Sequence, residues 1–392
     1  MERTMKKTMW LSVSVLVFLA VLPAFISAQT SYALVATFAA PKPVTAAYFG
    51  NAVRIGTDRV AVVAPMDKVG ETAQAGAAYV FDLSGKLLLS LASPSPKQKA
   101  GFGGDQWTSN PLAIDGDLVV VGEALAAGGG RAYAFDRAGS CKAISCTGIS
   151  PGRQFGSAAA LDEGNIVVAA YNFGAWLFDH SGKQLLAFVP QGVQLSRSYG
   201  MAVAIRKDLV VVTQDHAVAG GIPEAGRAFL FSRKGETIAT IQAPDPVKGA
   251  GYGVTAATDG NVVAIGAPSA GGDSGTGKVY LYSATGKYLK TILPPDAASG
   301  AGFGIAVAMD SGRIIVGASG ATYKGLKGAG RVFIYDSAGN LLSSLAAPKP
   351  AEYAAFGSSV DIKGDLVLIG ASSEVVSEVP DAGRAYLFKA KR

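Results

Sequence analysis

The sequence contains little of the chemistry that most catalytic and metal sites use. Its 392 residues include two histidines and two cysteines, and charged residues make up only 16% of the chain. No His, Cys and carboxylate residues stand at the spacing of a zinc site, and no Ser-His-Asp arrangement is indicated. We therefore expect no metal ion, no cofactor and no catalytic residue of these kinds.

The two cysteines, Cys141 and Cys146, lie close together in the segment "SCKAISCTG". On one regular strand, five steps of about 3.3 Å would separate them by roughly 16 Å, whereas a disulfide needs less than about 7 Å. A structural disulfide therefore requires a local turn between them. The pattern leaves both states open, a bridge or two thiols.

Positive charge is modest and is not concentrated. The formal net charge is +6, and no basic cluster with interleaved aromatic residues appears. Nucleic-acid-binding proteins usually present such a cluster on one face. We therefore do not expect nucleic acid as a partner.

Long apolar runs are confined to the start of the chain. Residues 1–28 combine a basic start, an apolar run and "ISA" before Gln29, which predicts a secretory signal peptide. The alternative is an uncleaved membrane anchor, because Met9 to Phe25 is of borderline length for a span. No later stretch is long and apolar enough. We expect residues 29–392 to be exported as a single domain, in the periplasm, at the cell surface or outside the cell.

A repeat of about 50 residues organises the rest of the chain. An aromatic residue followed by glycine recurs at intervals of 53, 53, 44, 53, 51 and 53 residues. The aromatic positions are Phe49, Phe102, Phe155, Tyr199, Tyr252, Phe303 and Phe356. Each copy continues with a short alternating run, a turn, a continuous apolar run, a variable loop and two more short runs. Such runs, bounded by Gly, Asp and Pro, are typical of strands.

Seven four-stranded antiparallel units of this length predict an all-β protein, a seven-bladed β-propeller. The copy that begins at Phe356 supplies only three strands, since the chain stops after "AGRAYLFKAKR". The segment "YALVATFAAPKP" before the first copy has the pattern of a fourth strand. The N-terminal strand should therefore complete the last blade and remove an exposed strand edge.

The copies resemble FG-GAP repeats, the units of the integrin α-subunit propeller and of many bacterial exported proteins. "YGVTAATDGNVVAIGAP" (252–268) carries an aromatic-Gly and a Gly-Ala-Pro at matching places, and "FGNAVRIGTDRVAVVAP" (49–65) keeps most of the pattern. Calcium-binding members carry an acidic DxDxDG-like loop between the first two strands. Here tight turns such as "IDGD" and "TDGN" occupy that place, and they hold too few of the six to eight oxygens that calcium needs. We expect the aspartates to form turns and to bind no calcium.

The resemblance to integrins implies that ligands bind on the face that carries the loops between strands 2 and 3. Two irregularities fall there: blade 2 has six extra residues within "GGDQWTSNP", and blade 3 has a short loop in "AAYNFGA". A long loop beside a short one predicts a groove. Ring stacking and amide hydrogen bonds suit a sugar or peptide ligand. The predicted groove residues are Asp105, Gln106, Trp107, Asn110, Tyr171, Asn172 and Phe173.

Arginine recurs at the start of the third strand, at Arg131, Arg227, Arg331 and Arg384, with Lys278 at the corresponding place. Recurrence favours a structural role, such as bonding to carbonyls of a neighbouring blade; a ring that binds anions is the alternative. His180 and His216 fall in a turn and a loop on opposite faces. The small apolar first strands, such as "MAVAI", predict a narrow central channel lined by alanine.

Two classes of function fit these features. The first is an exported, non-catalytic binding or scaffold propeller that recognises a protein or glycan through loops on one face. The second is a secreted carbohydrate-active enzyme, a lyase or hydrolase, that uses carboxylates such as Asp105 or Asp215. Because no acid–base group recurs while the loops vary on one face, we favour the binding protein.

Overall fold

The repeats fold as seven four-stranded antiparallel sheets arranged in a ring. The computed structural model describes residues 30–104, 110–146, 152–192, 197–271, 275–296 and 301–391, and within these ranges it contains strands and turns but no helix. The predicted fold class, a seven-bladed β-propeller, is confirmed.

Four blades occupy the first part of the chain. Blade 1 contains β2 (Ala52–Ile55), β3 (Arg59–Ala64), β4 (Ala77–Asp82) and β5 (Leu87–Leu91). Blade 2 contains β6 (Leu112–Asp115), β7 (Leu118–Glu123), β8 (Arg131–Phe135) and β9 (Cys141–Ile144). Blade 3 contains β10 (Phe155–Asp162), β11 (Asn165–Ala170), β12 (Gly174–Phe178) and β13 (Gln184–Ala187). Blade 4 contains β14 (Tyr199–Arg206), β15 (Leu209–Gln214), β16 (Arg227–Ser232) and β17 (Thr237–Ile241).

The remaining three blades follow the same plan, and the last one takes its outer strand from the N-terminus. Blade 5 contains β18 (Thr255–Thr258), β19 (Val262–Ala267), β20 (Lys278–Ser283) and β21 (Tyr288–Ile292). Blade 6 contains β22 (Phe303–Asp310), β23 (Arg313–Ala318), β24 (Arg331–Asp336) and β25 (Leu341–Leu345). Blade 7 contains β26 (Phe356–Lys363), β27 (Leu366–Ala371), β28 (Arg384–Ala390) and β1 (Tyr32–Phe38).

Strand β1 closes the ring by pairing with β28. The register runs antiparallel from Tyr32 opposite Ala390 to Phe38 opposite Ala385. Phe38 is almost fully buried and packs against Phe81 of blade 1, with ring centroids 5.2 Å apart. The predicted completion of the last blade by the first strand is therefore confirmed.

The hydrophobic core is divided among the seven seams between neighbouring blades. Each seam has its own cluster of buried residues, and each cluster contains one of the repeated aromatic residues. These seven rings are at most 2% exposed. Second strands such as β3, "RVAVVA", are buried along their whole length, because a blade is covered on both faces by its neighbours. The repeated aromatic is thus the main side chain that joins one blade to the next.

The glycine after the aromatic is required by backbone contact across the seam. Gly50 has a φ of 93°, and a β-carbon there would stand 2.3 Å from the backbone oxygen of Arg384 in the preceding blade. Only glycine tolerates both that backbone conformation and that approach. The two glycines of the repeat, one after the aromatic and one in the second strand, therefore serve the close packing of neighbouring sheets.

Candidate functional site

The two faces of the disc differ in structure. One face, here the loop-rich face, carries the connections between blades and the loops between second and third strands, at 65–76, 124–130, 171–173, 215–226, 268–277, 319–330 and 372–383. The opposite face, here the hairpin face, carries the tight turns between first and second and between third and fourth strands. Strand direction fixes this division, because each first strand runs from the loop-rich face to the hairpin face.

Large apolar side chains are exposed on the loop-rich face. Tyr353 is 66% exposed and Val189 is 60% exposed, and both lie in connections between blades. The exposed apolar residues of this face are Leu125, Val189, Val218, Leu293, Tyr353 and Val375. Among the described residues, no large exposed hydrophobic side chain lies in a turn of the hairpin face. Apolar exposure on one face of a soluble protein often marks an interaction surface.

The hairpin face is instead connected by ion pairs between blades. Arg137 of blade 2 contacts Asp58 of blade 1 at 2.6 Å and Asp117 at 2.5 Å. Arg206 of blade 4 reaches both Asp162, at 3.5 Å, and Asp310 of blade 6, at 3.0 Å. Ion pairs therefore join several of the blades on the hairpin face.

A cavity of about 320 Å³ opens at the centre of the loop-rich face. All seven blades contribute to its wall through their first strands or the residues beside them. Its polar lining consists of Asn51, Arg54, Asn110, Thr255, Ser319, Ser358, Ser359 and Ser372. Small apolar residues such as Ala158 and Ala202 complete the wall. The cavity has the size of a small-molecule site, for which volumes of roughly 300–1,000 Å³ are usual.

At two positions of the channel wall, a charged side chain stands where alanine was expected. Arg54 lines both the upper cavity and a second one of about 150 Å³ nearer the hairpin face, and Asp361 lines only the second. The Asp361 carboxylate accepts a hydrogen bond from the backbone N–H of Ile55 at 2.7 Å. Burial lowers the pKa of the Arg54 guanidinium and raises the pKa of the Asp361 carboxyl.

Sequence reasoning missed this pair, although the signal was present. Arg54 and Asp361 occupy the position at which other first strands have Ala160, Ala204 or Ala308. A charged residue at a repeat position that is otherwise alanine departs from the pattern that builds the channel. The channel is therefore lined by alanine only in part.

The structure describes four of the seven residues of the predicted groove. Asp105, Gln106 and Trp107 lie outside the described residues. Asn110 lines the central cavity. Tyr171, Asn172 and Phe173 form the short loop of blade 3 and are not among the residues that line this cavity.

Asn172 and Phe173 make contacts within the protein that account for their presence. The Asn172 side-chain oxygen accepts a hydrogen bond from the backbone N–H of Ser198 at 2.5 Å. The Phe173 ring lies 5.9 Å from that of Trp176, and the Arg153 guanidinium lies 4.8 Å from the Phe173 centroid. Asn172 thus joins blade 3 to the start of blade 4, whereas Phe173 packs against the core between blades 2 and 3.

Tyr171 lies near a small polar group on the same seam. Burial raises the pKa of the Tyr171 hydroxyl, and the negative charge of Asp215 raises it further. Asp215 is itself buried, and its Oδ1 lies 3.0 Å from Nδ1 of His216. The backbone N–H of His216 donates to the Ser198 hydroxyl at 2.9 Å. His216 is thus held on the loop-rich face, while His180 lies in the turn after β12.

The recurrent basic residues at the start of the third strands contact side chains. Arg384 lies 2.9 Å from Glu374, and Arg331 lies 2.5 Å from Asp296. Arg227 donates to the Gln214 side chain at 2.9 Å, and Lys278 pairs with Asp245. Arg131 starts β8 and is exposed. The following blade is contacted by backbone oxygens of these residues. The backbone oxygens of Arg131 and Arg384 lie against the glycine of the next aromatic-Gly pair.

The turn aspartates do more than form turns. Asp115, Asp162 and Asp310 each accept a backbone N–H from the next blade, at Glu163, Lys207 and Gly364, with distances of 2.8 to 2.9 Å. Asp259 accepts from the N–H groups of Asn261 and Val262 in its own turn, each at 2.9 Å. Across the described ranges, no group of three or more His, Cys, Asp or Glu side chains is arranged to hold a metal ion.

Cys141 and Cys146 are two thiols in the structure, not a disulfide. Cys141 is exposed at the start of β9, and Cys146 is half-buried beyond its end. Burial raises the pKa of the Cys146 thiol to about 11. That shift disfavours the thiolate, the reactive form of cysteine.

Comparison with known proteins identifies the repeats. The model of the FG-GAP repeat family matches residues 289–335 and 341–388. Each match begins in a fourth strand and ends in the third strand of the next blade. The resemblance to FG-GAP repeats is therefore confirmed, and the seven-bladed ring is consistent with an FG-GAP propeller.

A solved structure, that of the computationally designed Ika8 protein, is similar in fold. The two share 13% sequence identity with a TM-score of 0.50, over 90% of this chain and 98% of the designed one. No curated protein matches the chain. Within the described residues, no helix has the length and apolar character needed to span a membrane.

Proposed function

We propose that this protein is an exported, non-catalytic binding propeller that recognises a protein or glycan through its loop-rich face. The observation that carries the proposal is the difference between the two faces. Exposed apolar side chains and the open cavity lie on the loop-rich face, whereas ion pairs join several blades on the hairpin face. The FG-GAP propeller fold supports a binding or scaffold role in general.

The chemistry of the loop-rich face also favours binding over catalysis. Two carboxylates of this face accept buried hydrogen bonds: Asp67 from the Tyr79 hydroxyl at 2.6 Å, and Glu123 from the Tyr133 hydroxyl at 2.9 Å. A general acid or base must instead reach a substrate proton. Through these hydrogen bonds, the two carboxylates stabilise loops of the loop-rich face.

Protein and glycan arrays probed with the purified mature chain test the proposal. Tyr353→Ser and Val375→Ser should each weaken binding of the ligand found, because both side chains are exposed on the loop-rich face. Leu88→Ser and Leu289→Ser are matched controls, since these exposed residues lie on outer strands at the rim. Trp107→Ala tests the loop predicted from the sequence. Equal binding by the face and rim variants would contradict the proposal.

A further inference from the structure

We propose that the central cavity of the loop-rich face binds a small sugar acid, a molecule with one carboxylate and several hydroxyl groups. This inference goes beyond the proposed function, because such a ligand enters the axis of the ring and not the outer loops. It does not depend on which macromolecule the loops recognise.

The charge of the cavity fits a single negative charge. Among the described residues that line it, Arg54 is the one charged side chain. Asp361 acts on it electrostatically but lines only the second cavity. The Arg54 Nη1 donates to the adjacent backbone oxygen of Val53 at 2.9 Å, which leaves other guanidinium N–H groups for a ligand. A guanidinium presents parallel donors that match a carboxylate. A phosphate carries about −1.5 to −2 at neutral pH, more than one guanidinium balances.

The remaining polar groups of the wall suit a ligand with hydroxyl groups. Thr255, Ser319 and Ser372 contribute hydroxyls, and Asn110 contributes an amide. Within the described part of the chain, the buried Asn110 Oδ1 has no hydrogen-bond partner. An unsatisfied buried acceptor is unfavourable, so the amide oxygen would gain from a hydroxyl donor of the ligand. The cavity therefore combines the Arg54 charge with hydroxyls and an amide, which suits a polyhydroxylated acid better than an apolar acid.

Access is from the loop-rich face. At the opposite end, Arg206 contacts Asp310 at 3.0 Å, and the Lys363 Nζ lies 3.9 Å from Asp115. Each pair joins blades that are not neighbours and so crosses the opening of the channel. The upper cavity is therefore a pocket open to the face on which the loops lie.

Asp361 supplies an internal test of the charge argument. It lines the second cavity and lies near enough to influence the Arg54 guanidinium electrostatically. A negative charge on this side chain opposes the entry of an anion. Its removal should therefore strengthen anion binding, whereas removal of Arg54 should weaken it.

Isothermal titration of the full mature chain with D-glucuronate tests the proposal. We expect saturable 1:1 binding, with D-glucose and acetate at least about tenfold weaker, because each lacks one of the two kinds of contact. Arg54→Gln should weaken glucuronate binding by about tenfold or more, and Asp361→Asn should tighten it about two- to fivefold. Arg331→Gln is the control for loss of an arginine on the same face, and its affinity should equal that of the wild type.

Several results would overturn the proposal. They are the absence of saturable glucuronate binding, equal affinity in Arg54→Gln and wild type, or sulfate binding as tightly as glucuronate, which indicates a general anion site. A thermal melt verifies that each variant is folded. If Arg54→Gln is unfolded, Arg54→Lys replaces it; this variant should still bind glucuronate more weakly than the wild type, because lysine lacks the paired donors of a guanidinium. An oligosaccharide ending in glucuronate distinguishes a glycan terminus from a free acid. Array binding by the loops is a separate readout.

Discussion

Gly370 and Gly50 face each other across the seam that closes the ring: a β-carbon on Gly370 would stand 2.0 Å from the backbone oxygen of Gly50. The same relationship joins Gly122 to Gly156, Gly266 to Gly304 and Gly317 to Gly357. One glycine of each pair follows the repeated aromatic, and the other lies in the second strand of the preceding blade. The two glycines of the repeat thus form one contact between two backbones.

We expect Gly370→Ala to destabilise the protein by about 1–3 kcal/mol or more, the usual cost of overpacking a close contact. The methyl group has no space unless blades 7 and 1 move apart. Thermal or denaturant unfolding measures the loss. Gly364→Ala is the control, since no atom lies within 4 Å of the added carbon, although its positive φ carries a cost of its own. A loss no larger in Gly370→Ala than in Gly364→Ala would refute the packing argument.

Deletion of residues 30–43 should lower the melting temperature of the whole ring. It removes β1, leaves the edge of β28 unpaired and takes Phe38 out of a buried cluster. Phe38→Ala alone should cost about 3–5 kcal/mol, and Leu34→Ala much less, because Leu34 is 45% exposed. A truncated chain that melts like the full one would contradict closure by β1.

The pH dependence of stability should differ in sign between two aspartates of blade 1. Burial raises the pKa of Asp67, whereas hydrogen bonds from Ser84 and Lys86 lower the pKa of Asp82. A raised folded-state pKa gives stability that is complete below the unfolded value of about 4 and is lost as the pH rises through the folded value. A lowered pKa gives stability that is present above that unfolded value and is lost as the pH falls through the folded one.

Relative to Asp67→Asn, the wild type should therefore lose stability as the pH rises from about 4. Relative to Asp82→Asn, it should lose stability as the pH falls below about 4. Urea unfolding of the three proteins between pH 3 and pH 8 gives both differences. Two curves of the same sign would show that burial does not govern Asp67.

Asp310→Ala should destabilise the protein by about 1–3 kcal/mol, because the N–H of Gly364 in blade 7 loses its acceptor. Asp310→Asn keeps an acceptor and should cost less. Arg206→Gln removes only the ion pairs with Asp162 and Asp310, made by a side chain that is 45% exposed, so its effect should stay below about 1 kcal/mol and fade with added salt. Equal, salt-sensitive losses in Asp310→Ala and Arg206→Gln would instead assign the stabilisation to charge.

The ring could be predicted from the sequence because the repeat specifies it many times over. Seven aromatic-Gly pairs predict seven blades. The last copy lacks one strand and an extra strand precedes the first copy, so the sequence also predicts how the ring closes. The candidate site could not be predicted in the same way. Arg54 and Asp361 meet at the axis only after the ring closes, since they come from the first and the last blade.

For the predicted groove, too, the sequence could not predict the contacts of single residues. Loop lengths mark where the loop of blade 3 is short, but they do not reveal that Asn172 accepts the N–H of Ser198 or that Phe173 packs on Trp176. A polar or aromatic loop residue can contact a ligand or its own protein with the same side-chain chemistry. The groove therefore stays a prediction.

The pairing of β1 with β28 also sets the order in which the protein can fold. Tyr32 can pair with Ala390 only after both segments have been made, so β1 forms these hydrogen bonds later than the strands of the first blades form theirs. Contacts so distant along the chain carry a large entropic cost and slow the search for the native state. Because no short loop connects β1 to β28, we expect the disc to open first along this edge.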